Sequence, residues 1–323
     1  RLLPLPPRGR LPRGPMGQLC SGIPCPAGGF AAPSFRAVSW NVLTPRQKDW
    51  SRRRPQILDR LRCADADLVA LQEALPRALG DSLDAGMAAL GYTAHHCEPD
   101  VEGIEPPVLY VRRSVFRVTW EDAHSRSVLA ALQPVGFQGP PVYVANVHLM
   151  ASPSEGLARL YQVRKVLRRL AVQAAPGQGG TLCPPDVPML LLGDFNEAAG
   201  EGKALPTLLT DGFPPAGAGE VPNPKGEWAT CSFEDAHLAL LGDKAPATWP
   251  CPGPTARIDY LLHTDSLSCR GVPTPLAPEE DYPSDHLMIG ADFRLGSDEE
   301  EDYPSDHLMI GADFRLGSDE EED

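Results

Sequence analysis

The feature that most constrains the fold is an alternation, from Phe35 onward, of short apolar segments with helical segments and loops rich in Pro and Gly. Apolar runs of this length, bounded by turn residues, are typical of strands. Nine strands are predicted, over residues 37–43, 68–71, 108–111, 115–120, 128–132, 142–148, 189–192, 258–263 and 287–293. Residues 35–296 are therefore predicted to form one mixed α/β domain.

Two helices are predicted between these strands. The first covers residues 79–90, where apolar residues recur at helical spacing, and it ends at Gly91. The second has an apolar face from Leu157 to Leu170, and Ser152 is expected to cap it because Glu155 completes a Ser-x-x-Glu box. The Arg and Lys residues on its other faces are interpreted as solvated.

Charge and composition exclude some classes of protein. The formal net charge is −14, which disfavours nonspecific binding of duplex DNA, because phosphate is normally bound by basic surface. Half of this charge comes from residues 302–323, so the rest of the chain is only mildly acidic. No run of 18 apolar residues exists, and insertion into a membrane is not predicted. The eight cysteines include no Cys-x-x-Cys pair and are interpreted as mostly reduced thiols.

The two ends of the chain differ in composition from the rest. Residues 1–34 contain four Arg, no acid and many Pro and Gly, and we expect a disordered leader. An intracellular, cytoplasmic location is favoured, and organelle targeting by this Arg-bearing leader stays open. Residues 297–323 form an acidic tail.

A tandem duplication lies at the C-terminal end, where residues 281–301 recur letter for letter as residues 302–322. Two identical segments cannot both fill one place in a core. The first copy continues directly from the predicted strand 258–263, so we expect this copy to enter the fold. His286, rather than His307, is therefore a candidate site residue.

Polar residues interrupt, follow or directly precede the predicted strands, and these residues are Asn41, Glu73, His148, Asp194, Asn196, Asp259, Asp285 and His286. Side chains at strand ends meet where the rim of a sheet opens into a cleft, and an oxygen-rich set there suits Mg²⁺ or Mn²⁺. Each residue taken alone has a structural explanation. The sequence Gly-Asp-Phe-Asn at 193–196 is more specific, because a buried strand that runs straight into an unpaired acid needs compensation.

Six motifs occur in the order found in the endonuclease/exonuclease/phosphatase (DNase I-like) superfamily, which the chain resembles over about residues 35–295. They are Trp40-Asn41, Leu71-Gln72-Glu73, Asn146-Val147-His148-Leu149, Gly193-Asp194-Phe195-Asn196, Arg257-Ile258-Asp259-Tyr260 and Ser284-Asp285-His286. The segment 146–170 is most similar to the deadenylase-like (carbon catabolite repressor/nocturnin-type) branch, with Arg159 and Gln162 on its helix. The resemblance implies a four-layer α/β/β/α sandwich of two mainly antiparallel sheets.

The resemblance also implies roles for the metal-binding and catalytic residues. Glu73 would be the principal metal ligand, with Asn41 beside it, and Asp285 would help to hold this ion or a second one. Asp194 would orient or deprotonate the attacking water, which Asn196 would position. Phosphate oxygens would be contacted by the two histidines, His148 and His286, the second of them braced by Asp259.

The function implied is metal-dependent phosphodiester hydrolysis, with single-stranded RNA as the leading substrate and a 3′ exonuclease of deadenylase type as the leading activity. Two alternatives stay open. A sphingomyelinase-like enzyme or a nucleotide phosphatase or phosphodiesterase would share the metal site, because the substrate pocket lies in loops. A noncatalytic binding module on the same scaffold is disfavoured, since every expected position is filled. No particular oligomeric state is predicted.

Overall fold

The computed structural model describes residues 32–44, 49–74, 82–96, 106–124, 126–152, 154–176, 187–198, 232–251, 253–273 and 281–296. The predicted leader, apart from its last three residues, lies outside these ranges, as does the acidic tail with the second copy of the duplication.

The strands form two six-stranded sheets. Those of the first sheet are β1 (Ser34–Asn41), β2 (Leu68–Gln72), β3 (Tyr92–His96), β4 (Val108–Arg112), β11 (Leu267–Gly271) and β12 (Ile289–Leu295). Their order across the sheet is β11-β12-β1-β2-β4-β3. Only β1 and β2 run parallel, and the other neighbours are antiparallel.

The strands of the second sheet are β5 (Phe116–His124), β6 (Ser127–Pro134), β7 (Val142–His148), β8 (Met189–Asp194), β9 (Glu234–Asp235) and β10 (Asp259–His263). Their order is β5-β6-β7-β8-β10-β9. Here β7 and β8 form the one parallel pair. Each sheet is therefore mainly antiparallel, as predicted.

The helices are α1 (Trp50–Ala64), α2 (Asp84–Ala89), α3 (Gly156–Ala174) and α4 (Ala236–Leu241), followed by a 3₁₀ turn at Gly242–Lys244. In the part of the chain that the structure describes, none of these helices is long and apolar enough to cross a membrane.

The core has three parts, which define four layers. One cluster lies between the sheets and includes Ala37 and Leu68 from the first and Leu190 and Leu261 from the second. A second cluster packs α1 and α2 against the outer face of the first sheet, and a third packs α3 against the outer face of the second. This is the predicted α/β/β/α sandwich, in which each sheet buries both faces.

Strand alternation explains how β1 serves two of these clusters. Phe35 and Ala37 point into the layer between the sheets, while Val38 and Trp40 pack on the side of α1 and α2. Successive side chains of a strand point to opposite faces, so a strand that is covered on both sides is apolar at nearly every position.

Some predictions about local structure are wrong. Ser152 does not cap α3, which begins at Gly156 with Glu155 at the capping position and no side-chain cap. Instead, the Ser152 carbonyl accepts hydrogen bonds from the Glu155 amide and from Arg159. The helix predicted over 79–90 begins only at Asp84 within the described residues, and residues 75–81 lie outside them.

Four elements were not predicted: α1, β3, β11 and the short β9–α4 unit. Helix α1 is polar and contains Pro55, and it buries only Arg53, Ile57 and Leu61. Because so few buried positions are apolar, the sequence of this helix shows little hydrophobic periodicity. Strand β3 lies at the edge of its sheet and reads Tyr-Thr-Ala-His-His, which lacks an apolar run.

Helix α4 begins with a side-chain cap and contains a buried histidine. Asp235 Oδ1 accepts hydrogen bonds from the His237 and Leu238 amides, at 3.0 and 3.3 Å. His237 is fully buried, and neither ring nitrogen has a hydrogen-bond partner within the described part of the chain. Burial, with the charge of Arg257, lowers its pKa to about 4 against an opposing effect of Asp235, so this histidine is neutral at pH 7.

Candidate active site

The register of the two sheets brings the predicted site residues to one rim. The parallel pair β1 and β2 ends with Asn41 opposite Gln72, which Glu73 follows. The parallel pair β7 and β8 ends with His148 opposite Asp194. Strand β10 runs the other way and begins with Asp259 opposite Asp194. Strand ends from both sheets thus place these side chains around one cleft.

Two carboxylates, Glu73 and Asp194, converge on one amide group. Asn41 Nδ2 donates to Glu73 Oε1 at 3.1 Å and to Asp194 Oδ2 at 3.0 Å, which links the first sheet to the second. The other Glu73 oxygen accepts from the Thr44 amide at 2.7 Å. Glu73 has a φ of 56°, a left-handed conformation that is costly outside glycine, and strained conformations of this kind cluster at functional sites.

The Asp194 carboxylate also lies between two imidazole rings. Its Oδ2 is 3.7 Å from His148 Nε2 and 3.8 Å from His286 Nε2. His148 Nε2 is also 3.9 Å from Glu73 Oε1. On its other side, His286 Nδ1 is 3.0 Å from Asp259 Oδ2, so a carboxylate orients this ring toward Asp194.

Burial and charge set different protonation states within this group. Burial and the nearby Asp259 raise the pKa of Asp194, although His286, Asn41 and the Asn196 amide act against this. Burial alone would lower the pKa of His286, but Asp259, Asp194 and Asp285 raise it to about 10. Burial, with the charges of Arg126 and His286, lowers the pKa of His148 to about 3. One ring is therefore cationic and the other neutral at pH 7.

The first copy of the duplication supplies His286 and is tied to β1. The Ser284 hydroxyl donates to the Asn41 carbonyl at 2.6 Å and accepts from the His286 amide at 3.1 Å. Trp40 Nε1 donates to the His286 carbonyl at 2.8 Å. Thr248 Oγ1, which is fully buried, accepts from the Asp259 amide at 3.3 Å. His307 lies outside the described residues.

Asn196 and Asp285 occupy less central places. The Asn196 amide N–H donates to Asp194 Oδ1 at 2.8 Å, and its side chain donates to the Leu149 carbonyl at 3.1 Å, so it fixes the loop after β8. Asp285 Oδ2 accepts from Trp249 Nε1 at 3.3 Å, while its Oδ1 is buried without a partner among the described residues.

Several residues at the rim were not predicted from sequence. Beneath the site, Gln72 and Asn146 join the sheets through a 2.8 Å hydrogen bond. Arg159 is buried and pairs with Glu197 at 2.7 Å, so its interpretation as part of a solvated helix face is wrong. Arg126, in the β5–β6 hairpin, lies near Glu73 and Asp194. Gln72, Asn146 and Arg159 lie in segments that carry the family resemblance, although the sequence assigned them no role, and Arg126 gave no sequence signal.

The donor set fits a divalent cation. The half-buried Glu73 and the buried Asp194 share a single amide donor, which concentrates negative charge at one place, and oxygen ligands of this kind suit Mg²⁺ or Mn²⁺. Asn41 presents its NH₂ group here because its Oδ1 accepts from the Leu43 amide, so its amide must rotate to act as a ligand. The possible ligand atoms of a second group, one each from Asp194, Asp259 and His286, lie within 4.8 Å of one another. The hydrogen bond between His286 and Asp259 accounts for this arrangement without a metal ion.

Comparison with known proteins identifies the family. The model of the Endonuclease/Exonuclease/phosphatase family matches residues 38–307. The chain belongs to this family. The match extends into the second copy of the duplication, whereas the described domain uses the first copy.

Relatives within the Endonuclease/Exonuclease/phosphatase family include Protein angel homolog 2 of Bos taurus, which is 29% identical over 172 residues, 47% of this chain and 30% of the relative. Carbon catabolite repressor protein 4 homolog 4 of Arabidopsis thaliana is 29% identical over 175 residues, 48% of this chain and 38% of the relative. The chain thus matches about a third of the length of these curated relatives. The predicted resemblance to the deadenylase-like branch is confirmed.

Solved structures share the fold. The crystal structure of ANGEL2, a 2′,3′-cyclic phosphatase, in complex with adenosine-2′,3′-vanadate has a TM-score of 0.65 and 20% identity, over 81% of this chain and 96% of that one. The human Nocturnin catalytic domain with bound sulfate has a TM-score of 0.58 and 21% identity, over 82% of this chain and 95% of that one. Both matches confirm the predicted sandwich.

Proposed function

We propose that this chain is a divalent-metal-dependent phosphoester hydrolase that acts at the 3′ end of single-stranded RNA. The observation that carries the proposal is the position of the Asp194 carboxylate, between two imidazoles in different protonation states and beside Glu73. A base, a cation and a cluster of oxygen ligands within one cleft are the components that phosphoryl displacement requires.

In the proposed reaction, Asp194 accepts a proton from the attacking water, whose oxygen forms a bond to phosphorus. The bond from phosphorus to the leaving oxygen breaks, and that oxygen takes up a proton from solvent. The raised pKa of Asp194 suits a base that operates near neutral pH. His286, held cationic by Asp259, would stabilise the charge that develops on the phosphate oxygens, and neutral His148 would donate a hydrogen bond to one of them.

Glu73 would hold the metal ion, with Asn41 joining it after rotation of its amide, while Asp194 stays available as the base. A bound Mg²⁺ or Mn²⁺ would supply Lewis-acid activation of a phosphate oxygen. Asp285 would help to hold this ion or a second one through its Oδ1, which has no hydrogen-bond partner among the described residues.

Two RNA ends are candidate substrates. An internucleotide 3′ linkage is favoured by the resemblance of segment 146–170 to the deadenylase-like branch and by the match to Carbon catabolite repressor protein 4 homolog 4. A terminal 2′,3′-cyclic phosphate is favoured by the similarity in sequence and in fold to angel homolog 2, because the ANGEL2 structure is described as a 2′,3′-cyclic phosphatase.

The test is a parallel assay of the purified chain with EDTA, Mg²⁺ or Mn²⁺. The substrates are 3′-labelled poly(A) RNA, the same RNA with a 2′,3′-cyclic phosphate end, abasic duplex DNA and sphingomyelin. We expect metal-dependent hydrolysis of one of the RNA ends. Cleavage of sphingomyelin or abasic DNA alone would refute the RNA assignment, and binding of RNA without hydrolysis would support the binding module.

Glu73→Gln tests the metal site, because the change keeps the shape of the side chain and removes its charge. We expect this variant to lose most activity at any metal concentration. The matched control is Glu155→Gln, which makes the same change at an exposed residue. Equal activity of both variants at saturating metal would refute the assignment of Glu73 as a ligand.

A further inference from the structure

Arg126 is held beside the candidate site by its own backbone. It lies in the hairpin between β5 and β6, next to Ser127, which is paired with Val147 of β7. The His148 amide donates to the Arg126 carbonyl at 2.9 Å. The position of this arginine is therefore coupled directly to that of a site histidine.

Two other arginines near the site have guanidinium groups that are used within the fold. Arg53 Nη1 and Nη2 donate to the carbonyls of residues 42, 43, 44 and 283, at 2.8 to 3.1 Å. Arg159 donates to Glu197 at 2.7 Å and to the carbonyls of residues 150 and 152 at 3.0 and 2.8 Å. These contacts identify both as structural residues that hold loops at the rim.

The guanidinium of Arg126 differs from these two. Its one hydrogen bond with the described residues is from Nη2 to Met150 Sδ at 3.9 Å, and a thioether is a weak acceptor. No carboxylate in the described ranges lies within 4 Å of it. The side chain is half-buried, so its charge has lost part of its hydration without gaining an ion pair.

The charge of Arg126 lies within electrostatic range of ionisable residues of the cleft. Burial lowers its pKa, and Glu73 and Asp194 are close enough to raise it in opposition. The same charge lowers the pKa of His148. Arg126 is thus close to two site carboxylates and a site histidine, and it is paired with none of them. Apart from the weak contact with Met150, its N–H donors have no acceptor among the described residues, next to the place where the proposed reaction brings a phosphate.

We propose that Arg126 binds the substrate phosphate through two of its non-bridging oxygens, and that this contact fixes the phosphate next to His148 and Asp194. The planar guanidinium matches a pair of phosphate oxygens, which an ammonium or an amide cannot do. This inference rests on the proposed function, because it assumes that a phosphate is the group that enters the cleft.

The test compares Arg126→Gln and Arg126→Lys with Arg117→Gln. Arg117 is an exposed residue at the far end of the same hairpin, opposite Gln133, and its substitution removes the same charge from the same element. Inorganic phosphate is the binding probe, measured by isothermal titration in the presence of Mg²⁺. Steady-state hydrolysis is measured on the substrate that the wild-type chain cleaves, or on bis(4-nitrophenyl) phosphate.

We expect Arg126→Gln to weaken phosphate binding and to lower kcat/KM by about 10- to 100-fold, the range for loss of a hydrogen bond to a charged group. Arg126→Lys should recover only part of this, since it keeps the charge but not the fork. Free guanidinium at millimolar concentration should raise the rate of Arg126→Ala. Arg117→Gln should stay within about twofold of wild type, because surface substitutions of this kind have small effects.

Two results would overturn the inference. One is wild-type phosphate affinity and kcat/KM in Arg126→Gln. The other is a lowered melting temperature in Arg126→Gln and Arg126→Lys with unchanged phosphate affinity, which would make Arg126 a structural residue. The experiment also distinguishes failure of this inference from failure of the proposed function. If the wild-type chain hydrolyses no phosphoester but binds phosphate, and Arg126→Gln weakens that binding, the proposed function is refuted and the phosphate site at Arg126 is supported.

Discussion

Replacing Gly193 by alanine would place a methyl group inside the backbone of the neighbouring strand. A Cβ at this position would lie 2.0 Å from the Val147 carbonyl oxygen and 2.9 Å from both its carbonyl carbon and its nitrogen. These atoms belong to the β7–β8 ladder, in which Val147 is paired with Gly193. Because backbone cannot move aside as the end of a side chain can, the two strands must separate.

Two contributions set the size of the effect. Gly193 has a φ of 139°, and an alanine held in such a conformation costs about 1–3 kcal/mol. Overpacking of a closely packed region adds about 1–3 kcal/mol. We therefore expect Gly193→Ala to lower the free energy of unfolding by about 4 kcal/mol, a large part of the usual 5–15 kcal/mol. Separation of the strands would also displace Asp194, and a shift of about 1 Å can reduce the rate roughly a hundredfold.

Gly136→Ala is the matched control, because Gly136 has a φ of 78° and a Cβ added there would meet nothing within 4 Å. This variant should lose only the conformational part, about 1–2 kcal/mol, and should keep its activity. Urea unfolding with linear extrapolation measures both stabilities. The reasoning would be refuted by an equal loss of unfolding free energy in the two variants, or by full activity in Gly193→Ala. Either result would show that the close approach of β7 to β8 does not exclude a side chain at position 193.

The remaining predictions concern the catalytic base, the duplication and pH. Asp194→Asn should keep its thermal transition but turn over at least about a hundredfold more slowly, as for loss of a general base, and a collapsed transition would mark Asp194 as structural. Deletion of residues 302–323 should leave catalysis intact, whereas His286→Ala should abolish it in the full chain; full activity there would show that the second copy can substitute. His237 has a pKa of about 4 because it is buried, so the unfolded chain binds a proton that the native state does not. Stability should therefore fall by about 3 kcal/mol between pH 6.5 and 4 for this group, and His237→Leu should flatten this part of the wild-type stability curve.

The fold and the centre of the site could be predicted because their signals are local in sequence. An apolar strand that ends in a polar residue is visible in the run Met189–Leu192 before Gly193-Asp194, and the structure places that acid at the rim as expected. Strands covered on both faces, such as β7, can also be recognised in the sequence, because most of their residues are apolar.

The residues that sequence reasoning missed act through contacts whose partners are distant along the chain. Arg159 looks like a surface residue of an amphipathic helix until Glu197, 38 residues away, is placed beside it. Arg126 lies in a hairpin without a distinctive motif, and only the pairing of β6 with β7 brings it to the cleft. Helix α1 was missed because Arg53, one of its few buried residues, is charged and is satisfied by backbone carbonyls.

The two parallel pairs explain why one rim collects the site. In an antiparallel pair, the end of one strand lies beside the start of the next, so the ends of neighbouring strands alternate between the two edges. The parallel pairs break this alternation at one place in each sheet, β1 with β2 and β7 with β8, where two strand ends share an edge. The buried bond from Gln72 to Asn146 fixes these two places against each other across the sandwich. Residues at or just after the four strand ends are thereby brought within hydrogen-bonding range, as the bonds from Asn41 to Glu73 and Asp194 show.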